Sequence, residues 1–587
     1  MPQIANSYDE VRIPLGRMSF TPDIPATALG TDEYNAGFNV ETDIRGVRSI
    51  GGQQAILKPV PGAFAPIFIT GGFRRGGEWW FVAATEGDGI SVGGKWYACS
   101  ATHDWYDITP PGIDTVGYKQ VTNITETWNG TVLFINDEHN PPFFWQDEEP
   151  TIVVPVQKMK AYSNQVPLDI ANIVPVTTTT KKITFRTAQA SAPFAVGSEV
   201  IVEGVYPADY NSITTTGFTS FTVTACTATD VTITNSSTSA YSSGGTVAPL
   251  YSWNYNTDWK SVYAKWMRMY QTPNVGTILV AGNLTATPVA DPTTKENFPV
   301  TVQWSQSFGL NQAPITWTPT ATNVANQLEV PLRGPSVDAF PCNGQFFLCS
   351  YWDTVVFSPL NYSTTSAPII GVKLLNQGRG LLSSNCWANT DRLVYGIDAR
   401  DIWVFDGSDF KPLGNQKVKN YFFSNLNQTY ADRMFVINNT QKNQVEIYYP
   451  DLNSTGWCNK MLSWRYDLKL WNAPRDVANG CMATEAPVYN GTSFNYASRT
   501  VAYARGSVSG SKIRQTNITN GFAGSAIPAL FERTNATLET AEGPVPYSAK
   551  VYIHRVLPEV SGTGKLTITV GGSNSTGQTP TYGTSVQ

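Results

Sequence analysis

Apolar and polar positions along this chain alternate in short runs that end at turn-forming residues. The aromatic and β-branched run 77–85 stops at the glycine-containing segment 86–89, and a second apolar run covers 90–97. Such runs, separated by glycine, asparagine or proline, are typical of antiparallel strands joined by tight turns. Comparable units recur at intervals of roughly 40–60 residues, a period that predicts propeller blades or another repeated sheet.

Only two segments favour a helix. In 257–270, the apolar residues Trp259, Val262, Trp266 and Met269 follow a spacing of about 3.6 residues. We expect a short helix there, packed on a sheet. A weaker helical pattern covers 425–433.

Residues 161–250 have a different texture, because they contain no tryptophan and place apolar residues at every second position. This pattern predicts a small β-sandwich or barrel, inserted in a loop of the propeller. The chain then divides into an N-terminal arm (1–60), first blades (61–160), the inserted domain (161–250), remaining blades (251–480) and a C-terminal β domain (481–587). The strand patterns at 551–553 and 565–570 need a partner. We expect that partner in a neighbouring chain, unless the sequence is only part of the gene product.

Composition narrows the class of protein. The chain has 587 residues, of which 14% are charged and 12% aromatic, with a net charge of −5. An ordinary soluble protein has about 25% charged residues. Intrinsic disorder and a basic nucleic-acid binder are therefore excluded. The seven scattered cysteines form no CxxC pair, and the N-terminus has no signal-peptide pattern. We expect reduced thiols in a chain that folds in a cytosol.

The sequence carries no recognisable catalytic or metal-binding motif. His103, His139 and His554 are far apart, and none belongs to a known ligand pattern. We therefore expect no enzymatic activity, cofactor or metal. A possible calcium-like spacing of aspartates over 398–409 is better interpreted as a hairpin turn at Asp406-Gly407.

The densest acidic cluster is Asp147-Glu148-Glu149, followed by Pro150. Three adjacent carboxylates would repel each other if buried, so we expect a solvated loop. The aromatic runs 79–80, 143–145 and 421–423 could stack on sugars. In strands, however, they more often fill the core between sheets, and we favour that interpretation.

Several strings resemble the tail nozzle proteins, or tail tubular protein B, of short-tailed bacteriophages. They are PLGRMSFTPD at 14–23, EYNAGFNVE at 33–41, RGVRSIGG at 45–52, DIWVFDGSDFKPLG at 401–414, KNYFFSNLN at 419–427, WCNK at 457–460, WRY at 464–466 with Trp471, ALFER at 529–533, and the segment 551–572. The resemblance covers most of the chain outside 161–250. The family's C-terminal sheet usually continues beyond the point where this sequence stops.

The resemblance implies a structural protein of the virion tail, made in the cytoplasm of the bacterial host. Members look like hexameric tubes built on a β-propeller, which retain the genome and then conduct it during ejection. The implied partners are other copies of the chain, a head-to-tail adaptor, tail fibres or other tail proteins, double-stranded DNA in the lumen, and the host surface. An acidic wall would repel duplex phosphate, and Asp147, Glu148 and Glu149 are candidates for such a channel-facing loop.

Two other functions fit the sequence less well. A receptor-binding or polysaccharide-cleaving tail protein would need a pair of acids in a sugar cleft, and no convincing pair is evident. An extracellular adhesin would carry 161–250 as an immunoglobulin-like module, but the missing signal peptide and the unpaired cysteines argue against it.

Overall fold

The chain is almost entirely β-structure in a computed structural model that describes residues 13–74, 76–119, 122–147, 156–214, 217–272, 275–320, 323–359, 370–390, 392–519, 521–522, 525–534, 539–540, 543–544, 566–572 and 581–585. Over these ranges the helical segments are the α-helix Lys419–Asn425 and the 3-10 turns Ala26–Ala28, Ala208–Tyr210, Leu413–Gln416, Gln428–Arg433 and Thr440–Lys442. No helix in this part of the chain has the length and apolar character needed to cross a membrane.

Five antiparallel four-stranded sheets are arranged as the blades of a β-propeller. Blade 1 comprises Pro66–Phe73, Trp79–Thr85, Trp96–Ser100 and Tyr106–Asp107; blade 2, Thr125–Asn129, Val132–Asn136, Phe143–Trp145 and Lys160–Ala161; blade 3, Trp259–Thr272, Gly276–Pro288, Glu296–Trp304 and Asn326–Glu329; blade 4, Ser336–Cys342, Gln345–Ser350, Asp353–Pro359 and Ile370–Gln377; blade 5, Trp387–Asn389, Val394–Ile397, Ile402–Phe405 and Phe410–Pro412.

A nine-stranded sheet, called here the long sheet, completes the ring between blade 5 and blade 1. Its strands, in spatial order, are Phe435–Asn439, Gln444–Tyr449, Cys458–Arg465, Leu470–Tyr489, Phe494–Arg505, Ile513–Thr519, Gly52–Ile56, Gly521–Phe522 and Ser525–Ala526. On one side, the amide of Val436 donates to the carbonyl of Asn385, 2.9 Å away, just before blade 5. On the other side, Ile69 and Phe81 of blade 1 pack in one core cluster with Ala486.

The long sheet also joins the two ends of the chain. Ile56 near the N-terminus pairs with Ile513, and both are buried. The predicted boundary at residue 481 falls inside the strand Leu470–Tyr489, so the sheet runs without interruption from the propeller into the C-terminal region. Shorter strand pairs surround this frame: Ser19–Phe20 with Glu33–Tyr34, Ala36–Phe38 with Leu530–Glu532, Val40–Thr42 with Val47–Ser49, Ile213–Thr214 with Gly217–Phe218, Glu539–Thr540 with Gly543–Pro544, and Gly571–Gly572 with Thr581–Tyr582.

A closed six-stranded barrel lies in the connection between blade 2 and blade 3. Its strands are Leu168–Pro175, Thr180–Phe185, Glu199–Tyr206, Phe221–Cys226, Asp230–Thr234 and Ser243–Pro249. Period-two apolar residues such as Ile183, Val202 and Ile233 fill its interior. The predicted fold class, an all-β propeller with an inserted small β domain, is therefore confirmed.

The helix predicted over 257–270 is wrong. This segment belongs to the strand Trp259–Thr272, in which even-numbered positions from Val262 to Thr272 are buried. One of them is Arg268, which is buried because it pairs with Asp338. Because Arg268 occupies one of the buried positions, the apolar residues of this strand do not recur at every second position in the sequence. The apolar residues that remain happen to follow a helical spacing. The weaker helical pattern at 425–433 is confirmed as the 3-10 turn Gln428–Arg433.

Candidate functional site

Several of the sequence strings that carry the family resemblance come together in space, although about 500 positions separate some of them in the chain; of the segment 551–572, residues 551–565 lie outside the described residues. The strand Ser19–Phe20 pairs with Glu33–Tyr34, and Gly37 pairs with Phe531 from the distant C-terminal string. The ring of Phe20 lies 5.3 Å from that of Tyr421 in an edge-to-face contact. We call this assembly the platform; it consists of the described residues in 16–49, 413–426, 464–473 and 530–533.

Polar contacts hold the segments of the platform together. The hydroxyl of Tyr34 accepts a hydrogen bond from the amide of Ala473, 3.0 Å away. The carboxylate of Asp23 accepts hydrogen bonds from the amides of Asn420 (2.6 Å) and Tyr421 (2.8 Å) in the first turn of the α-helix. Amides at these positions have no partner within a helix, so Asp23 caps a helix that lies about 400 positions away in the chain.

A buried ion pair joins the platform to the long sheet. Lys442, in the 3-10 turn between two strands of the long sheet, donates to both carboxylate oxygens of Glu41, at 2.6 and 2.8 Å. Burial alone would raise the pKa of Glu41, but Lys442, Arg475 and Arg48 together hold that pKa below its usual value. A second pair, within the platform, links Lys417 to Glu33. The contact between Glu41 and Lys442 thus bonds the platform to the long sheet across 401 positions of the chain.

The second feature is a cavity of about 280 Å³ on the propeller axis. Its walls come from the inner strands of several blades and from two segments of the long sheet, around Phe435 and Cys481. Polar residues such as Asn123, Asn283 and Ser384 line it, together with the charged residues Lys265, Asp432 and Arg433. Its apolar and sulfur-containing residues include Ile67, Phe68, Met434, Phe435, Trp457, Cys458, Cys481 and Met482.

A buried ion pair organises the inner strands beside this cavity. The guanidinium of Arg268 in blade 3 binds both carboxylate oxygens of Asp338 in blade 4, at 2.8 and 2.7 Å. It also donates to Asn385 Oδ1 at 2.7 Å and to the carbonyl of Glu126 at 2.9 Å. Trp387 donates its indole N–H to the same aspartate at 2.8 Å. These bonds connect blades 2, 3, 4 and 5 around the axis.

The predicted acidic loop lies only in part within the described residues, because Glu148 and Glu149 are outside them. Asp147 forms an ion pair with Arg74 at 3.0 Å, and both side chains are about nine-tenths buried. The Arg74 guanidinium also lies over the ring of Trp145, 3.5 Å from its centroid. The interpretation as a solvated loop is therefore wrong for Asp147. That the loop faces a channel stays a prediction.

The other candidate residues have structural partners. His103 bonds Ser100 Oγ at 2.9 Å and stacks on Trp80, His139 lies beside Tyr118, and His554 is outside the described residues. Arg379 pairs with Asp398 and Asp401, at 3.0 and 3.2 Å. The turn at Asp406-Gly407 joins two strands of blade 5, as predicted, with a positive φ of 97° at the glycine. In the described part of the chain, no group of three or more His, Cys, Asp or Glu could hold a metal ion.

The aromatic runs singled out in the sequence are core residues. Trp79, Trp80 and the run Phe143–Trp145 are buried, as is Phe422, while Tyr421 and Phe423 are half-buried. Their assignment to the core is confirmed. Sequence reasoning missed a different pair, Tyr351-Trp352, which is 40% and 46% exposed; Tyr351 lines the axial cavity. The only signal for it is a position in the tight turn between two strands of blade 4.

Comparisons with known proteins describe the fold alone. No protein-family model matches the chain, and no curated protein matches it in sequence. Among solved structures, it is similar to the computationally designed protein Ika8 (9% identity, TM-score 0.34, covering 79% of this chain and 100% of that one). The Dos1 propeller has 10% identity and a TM-score of 0.30, covering 82% and 97%. The endosialidase of phage phi92 has 12% identity and a TM-score of 0.24, covering 96% and 84%. The assignment as a β-propeller protein rests on the sheet topology of this chain.

Proposed function

We propose that this chain is a structural subunit of a short-tailed phage tail. In this proposal it forms the nozzle, a ring of copies that retains the genome and conducts it during ejection. The expected partners are a head-to-tail adaptor, tail fibres or other tail proteins, and duplex DNA that passes through the lumen without sequence-specific binding.

The platform is the observation that carries this proposal. The strings that resemble tail nozzle proteins lie in separate parts of the sequence, and a chance similarity has no reason to select residues that touch. Instead, Phe20, Tyr34 and Tyr421 share one aromatic cluster, and Phe531 packs on Tyr34 with ring centroids 4.8 Å apart. The resemblance thus follows a set of residues in mutual contact, which supports a shared structural role.

Charge and composition support the same proposal. Each copy has a net charge of −5. A ring of such copies around DNA would repel phosphate and avoid the counterion release that makes cationic proteins bind duplexes tightly. A low content of charged residues is also a feature of large interfaces between subunits.

The test is to locate and count the chain in assembled particles. A peptide epitope inserted after Gly197, in a loop of the barrel, provides a label on virions that carry this protein. We expect antibody at the distal end of the tail by negative-stain microscopy. We also expect native mass spectrometry of isolated tails to give a ring of about six copies of the 64.1 kDa chain.

Two results would contradict the proposal. Label on the capsid or only on fibre tips would place the chain elsewhere in the particle. A monomer that cleaves host polysaccharide and is absent from the tail core would favour the receptor-binding alternative. An untagged virion stained with the same antibody is the matched control for the location of the label.

A further inference from the structure

Two asparagine side chains on the wall of the axial cavity already use hydrogen-bond donors within the protein. Asn123 Nδ2 donates to the carbonyl of Lys265 at 2.9 Å and to Ser384 Oγ at 3.0 Å. Asn283 Nδ2 donates to the carbonyl of Ser336 at 3.0 Å. These bonds fix the planes of both carboxamides. Because a carboxamide carries only two N–H donors, the Asn123 side chain has only its oxygen left to offer a ligand.

Three acceptor groups that line the cavity have no hydrogen-bond donor among the described residues. They are Asn123 Oδ1, Asn283 Oδ1 and the carboxylate of Asp432, which lies in the 3-10 turn Gln428–Arg433. Carbonyl and carboxylate oxygens accept hydrogen bonds and do not donate them, so this set matches a ligand that donates. The charge of Asp432 favours an ammonium, since a hydrogen bond between ionised groups is about twice as strong as a neutral one.

Two cationic side chains line the same cavity, which makes a ligand with only a positive charge a poor match. Lys265 is paired with Glu138. Arg433 donates from one Nη atom to the carbonyl of Gly456 at 2.6 Å, which holds its guanidinium in place. Burial lowers the pKa of Arg433 below its usual value, so a negative charge beside the guanidinium would stabilise its charged form. A zwitterion, with an ammonium and a carboxylate, therefore suits both kinds of charge.

The rest of the wall sets the size and character of the ligand. It is apolar over Phe68, Phe435 and Trp457, with the flexible thioethers of Met434 and Met482 between them. The volume of about 280 Å³ is just below the range of roughly 300–1,000 Å³ for drug-sized ligands. At about 30 Å³ for each water molecule in the liquid, the cavity has room for about nine non-hydrogen atoms. Leucine and methionine are zwitterions of that size with apolar side chains.

We propose that the axial cavity binds a free α-amino acid with an apolar side chain. Its ammonium donates to Asp432 and to the carboxamide oxygens of Asn123 and Asn283. Its carboxylate lies toward Arg433, and its side chain packs on the apolar part of the wall. The site is formed within one propeller, so it does not depend on the proposed ring of copies, and neither proposal fails with the other.

Isothermal titration calorimetry of the full chain with leucine and with methionine at pH 7 tests this proposal, and both should bind at one saturable site. Asp432→Asn keeps the size of the side chain and removes its charge. It should weaken leucine binding about tenfold, the usual effect of losing a hydrogen bond between charged groups. Asp291→Asn is the matched control, because Asp291 is exposed in a loop of blade 3 and does not line the cavity; it should bind like the unchanged protein.

Two leucine derivatives test the two charges separately on the unchanged protein. N-Acetylleucine has no ammonium and should not bind detectably. Leucinamide has no carboxylate and should bind more weakly than leucine. Because this comparison needs no variant, it decides the matter even if Asp432→Asn folds poorly, and thermal melts of both variants show whether it does.

Four results would overturn the proposal. Neither leucine nor methionine binds; N-acetylleucine binds as tightly as leucine; leucinamide binds as tightly as leucine, which would make the site one for a simple amine; or well-folded Asp432→Asn and Asp291→Asn bind leucine equally well.

Discussion

Lys442 Nζ lies 2.6 and 2.8 Å from the two carboxylate oxygens of Glu41, although 401 positions separate the residues in the chain. The side chains are only 18% and 7% exposed. Ions withdrawn from water this far stabilise a fold only when they are paired, and removal of one partner leaves the other uncompensated. The contact therefore makes the N-terminal segment part of the folded propeller.

Glu41→Gln should reduce the free energy of unfolding by about 3 kcal/mol, because it leaves the ammonium of Lys442 buried without its counter-ion. The loss should depend on pH. The folded-state pKa of Glu41 is lowered from 4.5, so its stabilisation is complete above that value and is lost as the pH falls toward the folded-state pKa. Urea denaturation at pH 7 and pH 3 should show a smaller gap between parent and variant at pH 3.

The exposed pair of Lys58 and Asp104 is the control for this prediction, because both side chains are about two-thirds exposed. Lys58→Ala should change the stability little, since surface ion pairs contribute about 0–1 kcal/mol. Equal effects of Glu41→Gln and Lys58→Ala would show that the Glu41 contact does not hold the segment in place.

Ile56→Ala should reduce the free energy of unfolding by about 2–4 kcal/mol, the usual effect of emptying a buried aliphatic site. Ile56 is 3% exposed and lies in the strand that joins the N-terminal segment to the long sheet. Ile90→Ala is the matched control, because Ile90 is 87% exposed. Thermal or urea melts of both variants test this prediction. Similar midpoints for Ile56→Ala and Ile90→Ala would show that the strand Gly52–Ile56 does not stabilise the long sheet.

Local pattern predicted those parts of the fold that local contacts build. Period-two apolar residues and glycine turns were enough for the blades and the barrel. The nine-stranded sheet was not predictable, because its closure depends on pairs such as Gln53 with Tyr503, 450 positions apart. The strand Trp259–Thr272 was not predicted, because Arg268 interrupts its apolar pattern. This arginine is buried only because it pairs with Asp338 on another blade, which the sequence does not show.

The candidate site shows the same limit. Asp147 looked solvent-exposed next to its acidic neighbours, since the sequence does not show that Arg74 lies beside it. Tyr351-Trp352 looked like any aromatic pair, since only the tertiary structure exposes it. The exposure of a side chain and its ion pairs depend on the folded propeller, so a short stretch of sequence does not reveal them.

Asp23→Ala should destabilise the platform by about 0.5–2 kcal/mol, the usual effect of removing a helix cap. The lost acceptor is the one that binds the amides of Asn420 and Tyr421. Asp23→Asn keeps a capping oxygen and should recover most of the stability. Hydrogen exchange of the amides in Lys419–Asn425 should rise in the alanine variant only; equal exchange in both variants would rule out a capping role.

Arg74→Lys should lower the free energy of unfolding by about 1–2 kcal/mol, because lysine cannot reproduce the stacking of a guanidinium on Trp145.

Asp147→Asn should likewise lower the melting temperature, and it should leave the affinity for duplex DNA unchanged, because Arg74 already pairs with that carboxylate. Melts and a DNA-binding titration on the same samples separate the two effects. Tighter DNA binding by Asp147→Asn at unchanged stability would show that Asp147 acts on DNA.

The cysteines give a prediction about chemical reactivity. All seven are free thiols, and Cys226 and Cys481 are the two that are not fully buried. Burial raises the pKa of Cys481 to about 12, as it does for Cys99, Cys349 and Cys386, and the thiolate is the reactive form. Burial also raises the pKa of Cys226, but less.

In the folded protein at pH 8, a disulfide reagent such as DTNB should therefore label Cys226 first and the other six only on unfolding. Cys226→Ser should abolish the first phase, and Cys481→Ser should leave it intact. Rapid labelling of several thiols in the Cys226→Ser variant would mean that the cores around the axial cavity open readily in solution.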